Sequence, residues 1–242
     1  MPDTAFTISM WVKPESLGSS VLFQKNGSFG IEYSGVSKKP FIFIRDTTYY
    51  AHTLSGDTGT MEIGTWANLT ATYSSSTGIM KLYVNGVLSG GTTTIPASLR
   101  QINLSTTPTY IGCQNSGGLG YFFQGYIDEV KLFDRELSAE EVRRYAGAVS
   151  ATDANGLQGY WKFFVGVGNK VYDAAHHGSA YHKNDGVISG ASWSNEIPPV
   201  SKLGYAGYTD ANGNYSISGI GYSNSGENFN IIPTATLAGA VH

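Results

Sequence analysis

The feature that most constrains this 242-residue chain is a two-residue alternation of apolar and polar side chains. In the first stretch Phe6, Ile8, Met10 and Val12 share one face, and a Lys-Pro pair then ends the pattern. Comparable stretches recur at residues 21–24, 29–33, 41–44, 66–73, 79–84, 110–112 and 122–133. Because side chains alternate between the two faces of a strand, this repetition predicts antiparallel β-structure.

Turn and cap signals punctuate these predicted strands. Asn26-Gly27 and Asn85-Gly86 suit tight hairpin turns, since both residue types tolerate positive φ. Glycine makes up 31 of the 242 residues, and charged residues only 14%, which is typical of a turn-rich all-β protein. One short helix is predicted from Ser138, where Ser-Ala-Glu-Glu forms a capping box, to about Gly147. We therefore expect an all-β antiparallel β-sandwich with one short helix and a small C-terminal β segment.

Charge and hydropathy exclude several classes of partner. A net charge of −3 and the lack of any cluster of Lys and Arg with interleaved aromatics argue against nucleic acid. No stretch approaches the roughly 18 apolar residues of a membrane span, and no signal-peptide pattern opens the chain. The single Cys113 forbids an intrachain disulfide. Because the chain begins almost directly with a strand, we expect a monomeric piece of a longer multidomain protein.

Four motifs in order carry a family resemblance. They are residues 6–14, Trp66 at the start of a strand, residues 81–86, and residues 125–130 leading into residues 133–138. Together they resemble the laminin G-like, concanavalin A-like lectin/glucanase superfamily over residues 5–147. The resemblance implies a concanavalin A-like jelly roll. It also implies a secreted or cell-surface location.

Residues 157–195 resemble the opening segment of that family, which the front of this chain lacks. One hypothesis is that they fold back and complete the sandwich, giving a domain over residues 1–195, because a sandwich lacking strands would expose unpaired edges. The other is that they begin a second copy. Residues 196–242 resemble part of a carboxypeptidase regulatory-like or immunoglobulin-like module.

The glucanases of the superfamily raise the question of catalysis. Retaining glucanases resemble one another in a Glu-x-Asp-x-x-Glu strand, whereas here Tyr126 stands at the first Glu and Lys131 at the last. Asp128 and Glu129 are neighbours on a strand, so we expect them to point to opposite faces. The sequence therefore predicts that the domain is not an enzyme.

The resemblance also implies a structural Ca²⁺ beside Asp128, with further oxygen ligands from the docked segment at Asp173, Asn184 and Asp185. The alternative is that Asp128 is an ordinary turn-bonding or salt-bridging carboxylate. A histidine cluster at residues 176, 177 and 182 lacks regular metal-ligand spacing, and we interpret it as a solvated loop rather than a zinc site.

Loop aromatics are the candidates for binding a sugar, because a pyranose stacks its apolar face on Tyr or Trp. Tyr49 and Tyr50 follow Arg45 in one loop, and Asn115 and Tyr121 lie in another. The tryptophans at 11, 66 and 161 fall within strands and are predicted to be core residues.

Two functions follow from these features. The first is a non-catalytic carbohydrate-recognition module, a lectin or carbohydrate-binding module, of a secreted or cell-surface protein. The second is a structural or adhesive module that contacts a cell-surface protein. The sequence does not separate them.

Overall fold

Two antiparallel sheets form the body of the protein in the computed structural model, which describes residues 4–115, 117–146, 155–163, 166–175 and 184–199. The strands are β1 (Ala5–Pro14), β2 (Ser20–Lys25), β3 (Phe29–Ser34), β4 (Lys39–Arg45), β5 (Ala51–Ser55), β6 (Ala67–Ser74), β7 (Ile79–Val84), β8 (Val87–Thr94), β9 (Thr109–Ile111), β10 (Gln114–Asn115), β11 (Leu119–Gly120), β12 (Gly125–Phe133), β13 (Leu157–Trp161), β14 (Lys170–Val171) and β15 (Gly186–Val187). The helices are a short 3₁₀ turn, Ala97–Leu99, and α1 (Ala139–Ala146).

The larger sheet has the strand order β13-β12-β1-β6-β7-β8, and the facing sheet has the order β5-β4-β3-β2-β9. Phe6 of β1 stacks on Phe29 of β3, with 4.2 Å between ring centroids, so the inner faces of the two sheets meet directly. The predicted inward face of β1 is fully buried: Phe6, Ile8, Met10 and Val12 are each 0% exposed. The β-sandwich predicted from the alternation is confirmed.

Helix α1 packs on the outer face of the larger sheet. Its capping box forms as predicted, because the Glu141 N–H donates to Ser138 Oγ at 3.2 Å and the Ser138 N–H donates to the Glu141 carboxylate at 2.9 Å. Arg135 forms a two-pronged ion pair with Glu141. The indole N–H of Trp11 donates to the Ala146 carbonyl, which ties the last turn of α1 to β1. None of the helices in the described residues is long and apolar enough to cross a membrane.

Strand β13 adds to the edge of the larger sheet by pairing with β12, with Val130 opposite Trp161. Trp161 and Val171 both join the main core. The segment after residue 157 therefore supplies an edge strand and core side chains to the sandwich. The domain boundary at residue 195 stays a prediction. Residues 200–242, which hold most of the predicted immunoglobulin-like fragment, lie outside the described residues.

The tryptophans differ from the prediction at one position. Trp161 belongs to the core, and Trp11 is buried beneath α1. Trp66 is not a core residue, because it precedes β6, is only partly buried, and lines a surface cavity of about 410 Å³. The prediction was wrong at Trp66 since alternation specifies which face a side chain occupies only within a strand, and Trp66 lies just outside one.

Candidate functional site

The predicted sugar-binding residues Arg45, Tyr49 and Tyr50 lie together on the hairpin loop that joins β4 to β5. We call residues 45–52 the tyrosine loop. Arg45 pairs with Ala51 at its base, and the loop turns between them. The backbone is closed by the Asp46 N–H, which donates to the Tyr50 carbonyl at 3.1 Å. The positions of both tyrosines are therefore set by a short, closed loop.

Asp46 anchors this loop from beneath. Its side chain is fully buried, and its Oδ1 accepts hydrogen bonds from the Thr48 N–H and hydroxyl at 2.8 and 2.6 Å and from the Tyr50 N–H at 3.2 Å. Its Oδ2 lies 2.9 Å from His52 Nε2. Burial acts to raise the pKa of Asp46, but these hydrogen bonds outweigh it and lower the pKa from 3.8 to about 2. The carboxylate therefore stays ionised and holds the loop.

The result is a rigid loop that presents aromatic rings to solvent. Tyr49 and Tyr50 are 65% and 64% exposed. Tyr49 has a φ of +65°, a left-handed conformation that is uncommon for a bulky residue, and its carbonyl accepts a hydrogen bond from Arg45 Nη1 at 3.0 Å. The Tyr50 ring packs edge-on against His52, with 5.0 Å between ring centroids. These contacts hold the backbone of Tyr49 and the ring of Tyr50 in place before any ligand arrives.

The other two predicted ligand residues lie outside the tyrosine loop, Asn115 in the small two-stranded sheet of β10 and β11 and Tyr121 directly after β11. Asn115 is on the same end as the tyrosine loop, since its carbonyl accepts from the Asn26 side chain at 2.5 Å in the β2–β3 turn. Its side chain donates to the hydroxyl of Tyr110 at 3.1 Å. Tyr121 lies at the other end of β2, where its carbonyl accepts from the Val21 N–H. The structure thus brings Arg45, Tyr49 and Tyr50 together and leaves Tyr121 apart.

Sequence reasoning missed His52, and it treated Asp46 only as a polar neighbour. The local signal for Asp46 is present in the sequence, because an Asp two residues before a Thr suits an Asx-turn. His52 lies on the next strand, so its contact with Asp46 depends on the β4–β5 register. Only the folded hairpin shows that contact.

Three of the four predicted calcium ligands form a cluster beside β13. Asp173 is 1% exposed and its carboxylate accepts from the backbone N–H groups of Tyr160 and Ala175 and from the Asn184 side chain. Asp185 accepts from the Asp173 N–H at 3.0 Å. Both carboxylate oxygens of Asp173 are therefore engaged by N–H donors, which is the arrangement of a structural anchor.

Asp128 does not share that cluster. It lies on β12, whereas Asp173 bridges to Trp161 of β13 on the side away from β12. Two strand spacings, about 10 Å in all, therefore separate the backbones at these positions. Within the described ranges, no group of three or more His, Cys, Asp or Glu is placed to hold a metal ion. Calcium binding by Asp128, Asp173, Asn184 and Asp185 stays a prediction. The histidines at 176, 177 and 182 lie outside the described residues.

A β-bulge in β12 changes the expected geometry of Asp128 and Glu129. Asp128 pairs with Trp11 and Lys131 with Ser9, so two residues of β12 face a single residue of β1. Glu129 has a φ of +53°, which marks the bulge. Since paired residues share a face, Asp128 lies on the outer face with Trp11, as does Lys131. The expectation that Asp128 and Glu129 point to opposite faces was wrong, because the bulge breaks the alternation.

These outer-face charges form an internal network. Lys131 is 1% exposed, lies 3.1 Å from the Glu129 carboxylate and sits over the ring of Tyr160. The Tyr160 hydroxyl also donates to Glu129. Burial, followed by the charge of Glu129, raises the pKa of Asp128 to about 7. The network pairs the Glu129 carboxylate with a buried lysine, and it leaves Asp128 with a raised pKa.

Comparison with known proteins agrees with the observed fold. A family model described as the concanavalin A-like lectin/glucanases superfamily matches residues 1–143, more than half of the chain. Among curated proteins, the Pentraxin-related protein PTX3 of Mus musculus is 28% identical over 160 residues, which are 60% of this chain and 40% of that protein. The chain therefore spans less than half the length of that relative.

Solved structures align with this chain at low sequence identity. A protein from Bacteroides ovatus, provisionally assigned as carbohydrate binding, aligns with a TM-score of 0.59 at 14% identity, over 71% of this chain and 49% of that one. The CBM40 module of the Ruminococcus gnavus IT-sialidase, solved with α2,3-sialyllactose, aligns with a TM-score of 0.47 at 17% identity, over 60% of this chain and 84% of that one.

Proposed function

This chain belongs to the concanavalin A-like lectin/glucanases superfamily, and from that premise we propose that it is a non-catalytic carbohydrate-recognition module of a secreted or cell-surface multidomain protein. The observation that carries the proposal is the tyrosine loop. Two exposed tyrosines lie on a loop whose backbone is held by a buried, ionised Asp46, beside the cation of Arg45. The Bacteroides ovatus protein of the same fold supports the same class of function.

The chemistry of the loop suits a sugar. The apolar face of a pyranose can pack on Tyr49 or Tyr50, and phenol hydroxyls and the remaining guanidinium N–H groups of Arg45 can bond its hydroxyls. Since the loop is already closed by Asp46, binding orders few additional torsions, which lowers its entropic cost. A rigid aromatic surface with polar neighbours is the type of site that recognises a glycan without reacting with it.

The test is a glycan array followed by titration with the best glycan on it. We expect saturable binding by the wild-type chain and a loss of about tenfold or more in affinity for the Tyr49→Ala, Tyr50→Ala double variant, equivalent to about 1.4 kcal/mol. Phe122→Ala is the matched control, because Phe122 is an aromatic residue of similar exposure, 58%, away from the loop. If the double variant binds the glycan as tightly as wild type does, the tyrosine loop is not the sugar site. If the wild-type chain binds no glycan on the array, the proposal of glycan recognition is refuted.

A second function is favoured by a different surface. Leu119, Tyr121 and Phe122 are 52%, 59% and 58% exposed and lie within four consecutive residues at the β10–β11 hairpin. Adjacent exposed apolar side chains are typical of protein contact. If the domain is an adhesive module, Phe122→Ala should weaken attachment of the chain to cells stripped of glycans. The tyrosine variants should leave that attachment unchanged.

A further inference from the structure

A second surface with the properties of a sugar site lies around Trp66. The cavity there, about 410 Å³, has Trp66 in its wall together with Thr60, Glu62, Thr65 and Val87. Glu62 and Thr65 are exposed, so their polar atoms reach solvent at the cavity mouth. An indole flanked by a carboxylate and hydroxyls offers both an apolar face and hydrogen-bond partners.

The indole N–H of Trp66 sets it apart from the other tryptophans. Trp11, Trp161 and Trp193 each donate to a backbone carbonyl, at 3.1, 2.8 and 2.7 Å. Within the part of the chain that the structure describes, Trp66 donates to no protein acceptor. A buried indole usually finds an acceptor for this group, whereas the N–H of Trp66 is not among the buried side-chain atoms without a partner and is therefore open to solvent. In Trp66 the donor is left for water or a bound ligand.

The ring of Trp66 is positioned by the loop before it and by an aromatic neighbour. Met61 is buried and anchors that loop, and the Gly64 N–H donates to the Pro14 carbonyl at 2.8 Å. The Tyr126 ring lies 6.3 Å from the Trp66 ring, and its hydroxyl donates to Glu15 at 3.1 Å. The platform is therefore assembled in the free protein.

The Trp66 cavity and the tyrosine loop lie at opposite ends of the sandwich. Strand β4 carries the tyrosine loop after Arg45, while at its other end the Pro40 carbonyl accepts from the Gly56 N–H. The chain then runs through Asp57, whose carboxylate accepts from Gly90, into the loop that leads to Trp66. The seven residues of β4 span about 20 Å at ~3.3 Å per residue, so one sugar ring cannot occupy both sites.

We propose that the Trp66 cavity is a second carbohydrate site, which binds one neutral pyranose unit by stacking on the indole and by hydrogen bonds to the Trp66 N–H and Glu62. Glu62 disfavours anionic sugars through charge repulsion, so we expect neutral glycans to bind better than anionic ones. With the tyrosine loop at the other end, the domain is bivalent and joins two glycan chains. This inference rests on the proposed carbohydrate-recognition function, but it uses different residues.

The direct test follows Trp66 itself by ¹⁹F NMR on the full chain labelled with 5-fluorotryptophan. The Trp66→Phe variant assigns its resonance. Cellohexaose, mannohexaose and β-1,4-galactohexaose serve as neutral probes, and hexagalacturonate serves as the anionic control. We expect at least one neutral probe to shift the Trp66 resonance saturably, and hexagalacturonate to leave it unmoved. No shift with any neutral probe up to its solubility limit would overturn the proposal.

Val87→Arg tests the cavity without removing the indole that packs on Tyr126. Val87 is 68% exposed, so arginine there is expected to keep the fold and to obstruct the cavity. We expect at least about tenfold weaker binding of the shifting probe, about 1.4 kcal/mol, and no change for the matched Val187→Arg control, whose valine is 73% exposed on β15. Equal binding by both valine variants would overturn the site.

Cross-linking of glycan-coated beads separates this inference from the proposed function. Bivalence predicts that wild type clusters beads, while the tyrosine double variant and Val87→Arg each bind beads without clustering them. If Val87→Arg clusters beads as wild type does, the second site is refuted and the tyrosine loop stands. If only Val87→Arg loses bead binding, the tyrosine loop is refuted and the Trp66 site stands.

Discussion

Replacing Asp46 with alanine should both destabilise the domain and release the tyrosine loop. Asp46 accepts four hydrogen bonds, from the N–H and hydroxyl of Thr48, the N–H of Tyr50 and the ring of His52. A hydrogen bond contributes about 0.5–1.5 kcal/mol net. Water can reach the exposed Thr48 and Tyr50 in the variant, so we place the total loss in unfolding free energy at about 2–4 kcal/mol.

The pH dependence of this loss has a defined sign. The pKa of Asp46 is about 2 in the folded protein against 3.8 ordinarily. A lowered carboxyl pKa stabilises the folded state above the unfolded pKa, and this contribution is lost as pH falls through the folded pKa. The difference in stability between wild type and Asp46→Ala should therefore be full at neutral pH and should shrink between about pH 4 and pH 2.

Urea unfolding at several pH values measures both effects, and amide hydrogen exchange at Thr48 and Tyr50 reports on the loop itself. We expect faster exchange at both residues in Asp46→Ala and an intermediate loss of stability in Asp46→Asn, which keeps the shape but not the charge. If Asp46→Ala unfolds within about 0.5 kcal/mol of wild type, the hydrogen bonds to Asp46 do not hold the loop and the reasoning is refuted.

Three further predictions concern the carboxylates near β12 and β13. Because the folded pKa of Asp128 is raised to about 7, the contribution of Asp128 to stability should fall as pH rises from about 4 to 7. Asp128→Asn should therefore raise the melting temperature at about pH 8 and change it little at about pH 4. An equal effect at both pH values would contradict a buried carboxyl with a raised pKa. Asp173→Ala leaves two backbone donors unpaired and should lower the free energy of unfolding in urea by about 2–5 kcal/mol. Residues 157–175 should also be cleaved earlier in limited proteolysis. A variant as stable as wild type would show that Asp173 is not a structural anchor. If the predicted calcium binds, adding Ca²⁺ should raise the melting temperature and EDTA should reverse that rise. An unchanged melting temperature would refute calcium binding.

The sequence alone determined the parts of this protein that depend on near neighbours along the chain. Alternation at Phe6–Val12 predicted which side chains face the core between the sheets, because a strand directs every second residue to one face. The capping box at Ser138 predicted where α1 begins, since its two hydrogen bonds join residues three apart. The exposed tyrosines were also predictable, as they lie in a polar loop between two alternating stretches.

Tertiary structure decided what depends on register and on residues far apart. The bulge at Glu129 exists only where β12 pairs with β1, and it moved Asp128 to the outer face. The contact between His52 and Asp46 needs the β4–β5 register, and the Trp66 cavity needs the loop before β6 to meet the turn after β7. Local sequence patterns do not predict the bulge, the His52–Asp46 contact or the cavity, because strand pairing joins residues far apart in the chain. One extra residue in a strand moves every later side chain of that strand to the opposite face.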